Sequence, residues 1–374
     1  MKSDKTTPNV PTLRFKQYHC PWSTYHLSDI AEVVGGGTPD TTVPSLWNGD
    51  IQWFTPTEVG HQKYVSKSAR TITQLGLQKS SAKKLPAGSI LLSSRATIGE
   101  CSIAQRECTT NQGFQNLIPK NDTNNEFLYY LAQTKKHHFI KYASGSTFLE
   151  ISNSEIRKTK CTVPGTEEQT QIAAFLSALD DRISVQNKII SKYETLIKGL
   201  CDMIFRHDKS ASLSDLVKCK TSALQENMVS TCPRGEYKVL GASGAIAVID
   251  TYQFDESGIL VLKDGSKAGK IQFAQGKYSV IGTSVVLIPN EACDARYLYF
   301  AMSSIDFEKY KVGSGIPHIY FKDYSNERIY YPDKALRKKI TKTLDFYETM
   351  VEIERKMLSA MQKQKAFLLQ SMFI

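Results

Sequence analysis

Three stretches of this chain hold residue types that could do phosphate or metal chemistry. Gly265-Ser266-Lys267-Ala268-Gly269-Lys270 has the glycine and lysine content of a nucleotide-phosphate loop, but it is one residue short of that pattern, and Ile271 stands where a Ser or Thr would hold magnesium. Asp333 followed by Glu354-Arg355-Lys356 imitates the carboxylates and lysine of a metal-dependent nuclease, yet Glu354 falls on the apolar seam of a long helix, where structure explains it better. His137-His138 cannot share a metal, because neighbours on a helix point about 100° apart and no third ligand is apparent. There is no Gly-x-Gly-x-x-Gly cofactor loop, no Cys-x-x-Cys pair and no Asn/Asp-Pro-Pro-aromatic motif for a target base. No catalytic residue, metal site or resident cofactor is therefore assigned, and the expectation is a chain built to recognise, not to react.

Recognition chemistry is better represented. Ser93-Ser94-Arg95-Ala96-Thr97-Ile98-Gly99 and Thr110-Asn111-Gln112-Gly113 bring together side chains suited to base edges and phosphates, with glycines that allow close backbone approach. Lys263, Ser266, Lys267, Lys270, Thr283 and Ser284 form a second such group. Gly145-Ser146-Thr147 matches Ser314 and His318 further on, and Lys83 and Lys84 add a basic cluster that could meet phosphates. Any one of these is as readily an ordinary polar loop; their recurrence in two places is what raises the case.

That recurrence is part of a tandem duplication. Phe127-Leu128-Tyr129-Tyr130 matches Tyr297-Leu298-Tyr299-Phe300 at an offset of 170, and Lys141-Tyr142, Gly145 and Pro164 match Lys309-Tyr310, Gly313 and Pro332 at 168. A period this long is a whole module copied once, not a solenoid repeat. Short β-like runs (Ser89 to Leu92, Ile259 to Leu262, Lys270 to Phe273, Ser284 to Ile288) alternate with helical stretches (Glu126 to Lys141, Asp294 to Lys311), which predicts α+β modules.

Each module ends in a long helix. Apolar or aromatic residues at 172, 176, 179, 183, 190, 193, 197, 200 and 204 alternate spacings of four and three, with Gln186 as the polar intruder, and the same seam returns from Ile340 to Met372 with Glu354 in the place of Gln186. Thr166-Glu167-Glu168-Gln169 has the form of a capping box. Forty residues span roughly 60 Å, so an antiparallel coiled coil of the two would separate the modules with pseudo-two-fold symmetry. The expected organisation is an N-terminal arm (1–26), a first module (27–165), a central helix (166–207), a second module (208–333) and a C-terminal helix (334–374).

The formal charge is +10 and the hydrophobic content 41%, which suits a folded chain with a polyanionic partner. The net charge is +4 over residues 27–165, −1 over 213–333 and +5 over 334–374, so contact of the second module with a polyanion must come from local clusters. No apolar run approaches a membrane span, and the polar N-terminus lacks a secretory signal, so a cytoplasmic protein with reduced thiols is expected.

Read together, the duplicated module, the paired helices and four strings (Gly36 to Pro39, Ser94 to Gly99, Thr110 to Gly113, and Pro164 through Glu168-Gln169 to Ile172) resemble the specificity subunit of type I restriction–modification enzymes, from about residue 20 onward. The resemblance implies a non-catalytic reader of double-stranded DNA. Each target-recognition domain would read half of a bipartite site, and the helices would set the spacing and dock two modification (methyltransferase) subunits through Glu168, Gln169, Ile172, Leu176, Ile340 and Leu344. It further implies S-adenosylmethionine on those partners, and ATP with magnesium on restriction subunits where these join. One departure stands out: the second helix begins Pro332-Asp333-Lys334-Ala335-Leu336-Arg337, without Glu-Gln, leaving Asp333 as its expected cap. Competing readings are a coiled-coil adaptor that does not touch DNA and a stand-alone DNA-modifying enzyme.

Overall fold

The computed structural model describes residues 9–374 apart from 121, 146–148, 207–208, 230–234, 292–293 and 314. It divides into two compact units, one of residues 1–187 with 357–374 and the other of residues 188–356.

In chain order the first unit contains β1 (Ser23–His26), α1 (Leu27–Ile30), β2 (Ala31–Gly35), β3 (Trp47–Phe54), β4 (Tyr64–Val65), β5 (Arg70–Ile72), α2 (Gln74–Gln78), β6 (Ile90–Leu92), β7 (Cys101–Ala104), β8 (Thr109–Thr110), β9 (Gln115–Pro119), α3 (Asn125–Thr134), α4 (Lys136–Lys141), α5 (Asn153–Lys158) and β10 (Lys160–Val163). Helix α6 (Thr166–Phe205) follows and runs on into the residues of the second unit. That unit continues with β11 (Ala211–Ser212), α7 (Leu213–Leu216), β12 (Val217–Thr221), α8 (Glu226–Val229), β13 (Tyr237–Gly241), β14 (Gly244–Ile249), β15 (Gly258–Leu262), β16 (Ile271–Ala274), β17 (Tyr278–Val280), β18 (Ser284–Pro289), α9 (Ala295–Met302), α10 (Phe321–Tyr324) and β19 (Arg328–Ile329). Helix α11 (Lys334–Met372) closes the chain.

The duplication is explicit in topology. The first unit has a sheet ordered β2-β9-β6-β7-β4 and a second ordered β5-β3-β8; the other unit has β12-β18-β15-β16 and β14-β13-β17. In both, the innermost strand is apolar on both faces, as a covered strand must be. Ile90 and Leu92 pack with α3 residues Phe127, Leu128 and Leu131, while Leu91 faces Phe54 and Phe114. Ile259 and Val261 repeat this with Leu298 and Ala301, and Leu260 faces Val280 and Val286. The expected strands form at the expected places.

Two expected helices are shorter. The stretch from Glu126 breaks at Lys135 into α3 and α4. The stretch from Asp294 stops at Met302, because Ser303 and Ser304 turn their hydroxyls back to the carbonyls of Phe300 and Ala301, an alternative to continuing the backbone ladder. The expected arm is not separate either: Trp22 is buried in the core, and β1 pairs antiparallel with β10.

Every expected seam position of α6 and α11 is buried or half-buried. In the first unit, Leu368 and Met372 of α11 join Ile172, Leu176 and Leu179 of α6 in one core, and Lys365 pairs with Asp180 at 2.7 Å. In the second, Tyr193 meets Tyr347 at 6.5 Å between ring centroids, and Arg355 pairs with Glu194 at 2.5 Å. Within each unit higher numbers on one helix meet lower numbers on the other, so the pairing is antiparallel.

The helix starts correct the capping-box expectation. Thr166 is already helical, and Gln169 does not reach back to a capping position: its Oε1 accepts from the Asn124 amide at 3.0 Å, and its Nε2 donates to the Pro164 carbonyl at 2.9 Å. Asp333 does cap α11, accepting from the amides of Ala335 and Leu336 at 2.9 and 3.0 Å. Arg337 then stands where Gln169 stands, donating to the Pro332 carbonyl at 2.6 Å and to both carboxylate oxygens of Asp294, the counterpart of Asn124.

Candidate nucleic-acid interface

In the first unit, Gly36 and Gly37 bring the chain against the 110–114 loop. A Cβ on Gly36 would lie 1.9 Å from the Asn111 carbonyl oxygen and one on Gly37 2.3 Å from the Ala82 amide, so only glycine fits. The Gly37 amide bonds the Thr110 carbonyl at 2.9 Å, the Trp53 indole donates to the Gly37 carbonyl at 2.8 Å, and Thr38 donates to Gln112. Asn111 accepts from the Gly113 amide at 2.8 Å, a local Asx turn that fixes the loop.

The 93–100 loop is tied to this one. Ser93 donates from its amide to the Glu100 carbonyl, the Gly99 amide bonds the Ser93 carbonyl, the Ser94 amide bonds the Gly113 carbonyl, and the Ile151 amide bonds the Ser94 carbonyl, all within 2.8–3.0 Å. Ala96 at its tip is held at φ 62°, a left-handed conformation that costs a residue with a Cβ roughly 1 kcal/mol or more.

The second unit repeats this frame bond for bond. The Leu262 amide bonds Lys270, Gly269 bonds Leu262, Lys263 bonds Thr283, and Ile319 bonds Lys263, at 2.8–3.0 Å. Beside the frame lies a hydrogen-bonded side-chain pair in which the acidic residue changes sides between the copies. In the first, Arg95 donates to Glu150; in the second, Asp264 meets His318 Nδ1 at 2.8 Å. The same four positions also form backbone bridges, Arg95 with Glu150 and Asp264 with His318. Glu150 is the member of these pairs that the sequence does not pick out; the offset of 168 that sets it against His318 is the signal that could have found it.

These positions sort the expected DNA-binding residues. Arg95, Thr97, Asn111, Gln112, Lys83, Gly145, Lys263, Ser266, Lys267, Lys270, Thr283 and His318 are at least partly exposed. Ser93, Ser94, Thr110 and Ser284 are fully buried and Gly113 is buried, so as readers they are corrected: Ser93 donates to the Arg95 carbonyl at 2.8 Å and Thr110 accepts from Asn116 at 2.8 Å, which positions loops. Lys84 is paired with Glu107 at 2.8 Å. Ser146, Thr147 and Ser314 lie outside the described residues.

The expected partner-docking residues are corrected likewise. Ile172, Leu176, Ile340 and Leu344 are at most 8% exposed, packed in the core of their own unit. Glu168 is 3% exposed, clamped by Arg14, whose Nε and Nη2 each donate at 2.7 Å; Gln169 is buried in the contacts given above. None offers a surface.

Among the described residues no group of three or more His, Cys, Asp or Glu could hold a metal ion. Burial, with the charges of Lys135 and Lys141, holds His138 below its ordinary pKa. Burial pushes the thiols of Cys101 and Cys108 up to about 12, so both are inert packing groups. Among the described residues no helix is long and apolar enough to cross a membrane.

The model of the type I restriction modification DNA specificity domain matches twice, at residues 20–195 and 209–362. The chain belongs to this family. Among curated relatives of this specificity-domain chain, the specificity subunit of type I restriction enzyme MjaIX from Methanocaldococcus jannaschii is 41% identical over 178 residues, 46% of this chain and 41% of that one. The HindI specificity subunit of Haemophilus influenzae is 26% identical over 47% of this chain and 40% of its own length. The chain thus spans about two fifths of the length of these relatives. The EcoprrI specificity subunit of Escherichia coli is matched over 87% of both chains at 21% identity. A crystal structure of the S subunit of a type I restriction-modification system from M. genitalium shares the fold, with a TM-score of 0.63 and 16% identity over 98% of this chain and 99% of that one.

Proposed function

We propose that this chain is the DNA-reading specificity subunit of a type I restriction–modification complex, each recognition module reading half of a bipartite double-stranded site. The observation that carries this reading is the loop frame built twice, with identical backbone bonding and different side chains at its rim: Arg95, Thr97 and Gln112 in one copy, Lys263, Lys267 and Lys270 in the other. A fixed frame with exchangeable polar tips is what reading two different half-sites requires, since base edges are discriminated by donor and acceptor pattern. The first module's charge of +4 and the local lysines of the second supply phosphate attraction.

Methyl transfer belongs, in this reading, to two modification subunits carrying S-adenosylmethionine, and ATP-driven cleavage to restriction subunits. This chain would hold the DNA while the target adenine is turned out of the duplex. Docking of the modification subunits is carried by a second apolar stripe on the helices, distinct from the seam. In the second unit Leu196 and Met203 on α6, and Phe346 and Ile353 on α11, are 42–62% exposed, each pair seven residues apart. Such a stripe is the pattern by which a partner helix packs.

Single-molecule methylome sequencing of cells with this chain and its modification subunit, against cells lacking only this chain, tests the proposal. A bipartite N6-methyladenine motif that depends on the chain is the expected result. A stable complex that adds no motif would overturn the reading in favour of an adaptor.

A further inference from the structure

The two sheets differ in one strand. In the first unit, β4 lies parallel to β7, with Tyr64 opposite Ile103, and the amides of Ile103 and Gln105 donate to the carbonyls of Lys63 and Val65 at 2.7 and 2.9 Å. In the second unit the segment that corresponds to residues 55–69, which carry β4 in the first, is the short Ala242-Ser243 turn between β13 and β14, so among the described residues β16 is the edge of its sheet. Ile90 pairs with Ile103 as Ile259 pairs with Phe273, which makes Phe273 and Gln275 the counterparts of Ile103 and Gln105.

A groove of about 1070 Å³ runs along this edge, walled by β16 on one side and by Arg296, Asp345, Glu348 and Glu352 on the other. The first unit shows what such a place accommodates. There Lys63 projects from the added strand to Glu126 at 3.1 Å and to Ser177, and Tyr64 donates to Glu126. In the second unit the counterpart of Glu126 is Arg296, which pairs with Asp345 at 2.5 Å and with Glu348. Glu352, one turn beyond Glu348, has no ion-pair partner among the described residues. The lysines on the strand side are partly engaged: Lys277 lies 4.7 Å from the Tyr252 ring, and Lys270 donates to the Ala242 carbonyl at 3.4 Å.

We infer that the β16 edge captures an extended peptide of a protein partner, added as a parallel strand in the manner of β4, with a basic side chain reaching Glu352. An edge strand with unpaired amides is a template for such addition, main-chain bonds giving affinity and side-chain contacts selectivity. A peptide strand both donates to and accepts from the main chain of the edge, which a phosphate backbone, carrying acceptors only, cannot do.

The probe is a synthetic peptide with the sequence of residues 59–68 of this chain, added to the full-length protein and followed by fluorescence anisotropy and amide hydrogen exchange. Saturable binding with slowed exchange at Phe273 and Gln275 is expected. Gln275→Pro, which removes one edge amide where proline is tolerated, and Glu352→Lys, an exposed change, should each weaken binding at least fivefold, while exchange protection elsewhere in the second unit stays intact. A peptide with Lys63 replaced by Glu should bind correspondingly worse. Binding that ignores both variants, or no slowing at Phe273 and Gln275 at saturation, overturns the inference. Slowing by duplex DNA but not by the peptide also overturns it, and would assign the groove to nucleic acid.

Discussion

The exchange of Gln169 and Asn124 in the first copy for Arg337 and Asp294 in the second can be undone by mutation, with a cost that follows from burial. Arg337 and Asp294 are 7% and 4% exposed. The guanidinium engages both carboxylate oxygens at 3.0 and 2.9 Å and lies 4.0 Å from the Tyr331 ring, whose hydroxyl donates to the same carboxylate at 2.5 Å. Burial opposes the charged guanidinium, but the hydrogen bonds and charge of Asp294 outweigh it, and its pKa is held above the ordinary value. Arg337→Gln leaves a buried carboxylate with the tyrosine hydroxyl but no cation, which costs about 3–5 kcal/mol. At 2–4 °C per kcal/mol for a unit of this size, even 3 kcal/mol lowers the midpoint by roughly 6–12 °C. Adding Asp294→Asn removes the stranded charge and gives the residue types of the first copy, where Gln169 accepts from the backbone amide of Asn124 and reaches the Pro164 carbonyl. The double variant should then return to within about 1.5 kcal/mol of the parent, a coupling of 2 kcal/mol or more. Calorimetry of the full chain, with hydrogen exchange of the α9 amides as the local readout, makes the measurement. Equal losses in the double and single variants would refute the idea that the two pairs are interchangeable solutions to one packing position.

Other expectations follow from the frame and the helices. Arg95→Glu should change the methylated half-site or abolish methylation while costing under about 1 kcal/mol of stability, since its partner Glu150 is also partly exposed; the reverse pattern, an unchanged motif in a destabilised protein, would make the pair structural. Gly36→Ala should destabilise the first unit by about 2–4 kcal/mol in urea unfolding, because its Cβ meets the Asn111 carbonyl. Burial would raise the pKa of Glu327, but hydrogen bonds from Lys309 and Tyr310 more than reverse this and hold it low. Its contribution is therefore present above the unfolded glutamate value of about 4.3 and is lost as pH falls through the folded value, so unfolding midpoints of Glu327→Gln should vary less than those of the parent below that pH. Inserting a helical turn between Ile183 and Leu200 should alter the spacer in the methylated motif; an unchanged spacer would show that the helices are no ruler.

Periodicity and repetition determined a great deal by themselves. The 3.5-residue spacing of apolar residues needs no tertiary context to define a seam, and every seam position is covered in the structure. An offset of 168–170 residues announces two like modules, and runs such as Gly258–Leu262, apolar on both faces, announce covered strands. What pattern could not decide was which polar residues face outward, because Ser93 and Ser94 carry the same side chain types as exposed readers and differ only in what the Gly113 and Ile151 backbones pack against them. Nor could it show that Gln169 serves a neighbouring loop and not its own helix start, since that bond spans 45 residues to Asn124. The side-chain clasps of Arg95 with Glu150 and of Asp264 with His318, and the strand that lies beside β7 but has no counterpart beside β16 among the described residues, likewise depend on residues far apart in the chain. Local spacing sets the elements because it acts through neighbours along the backbone; burial, pairing and open edges depend on which distant segments arrive beside them, and only the folded chain settles that.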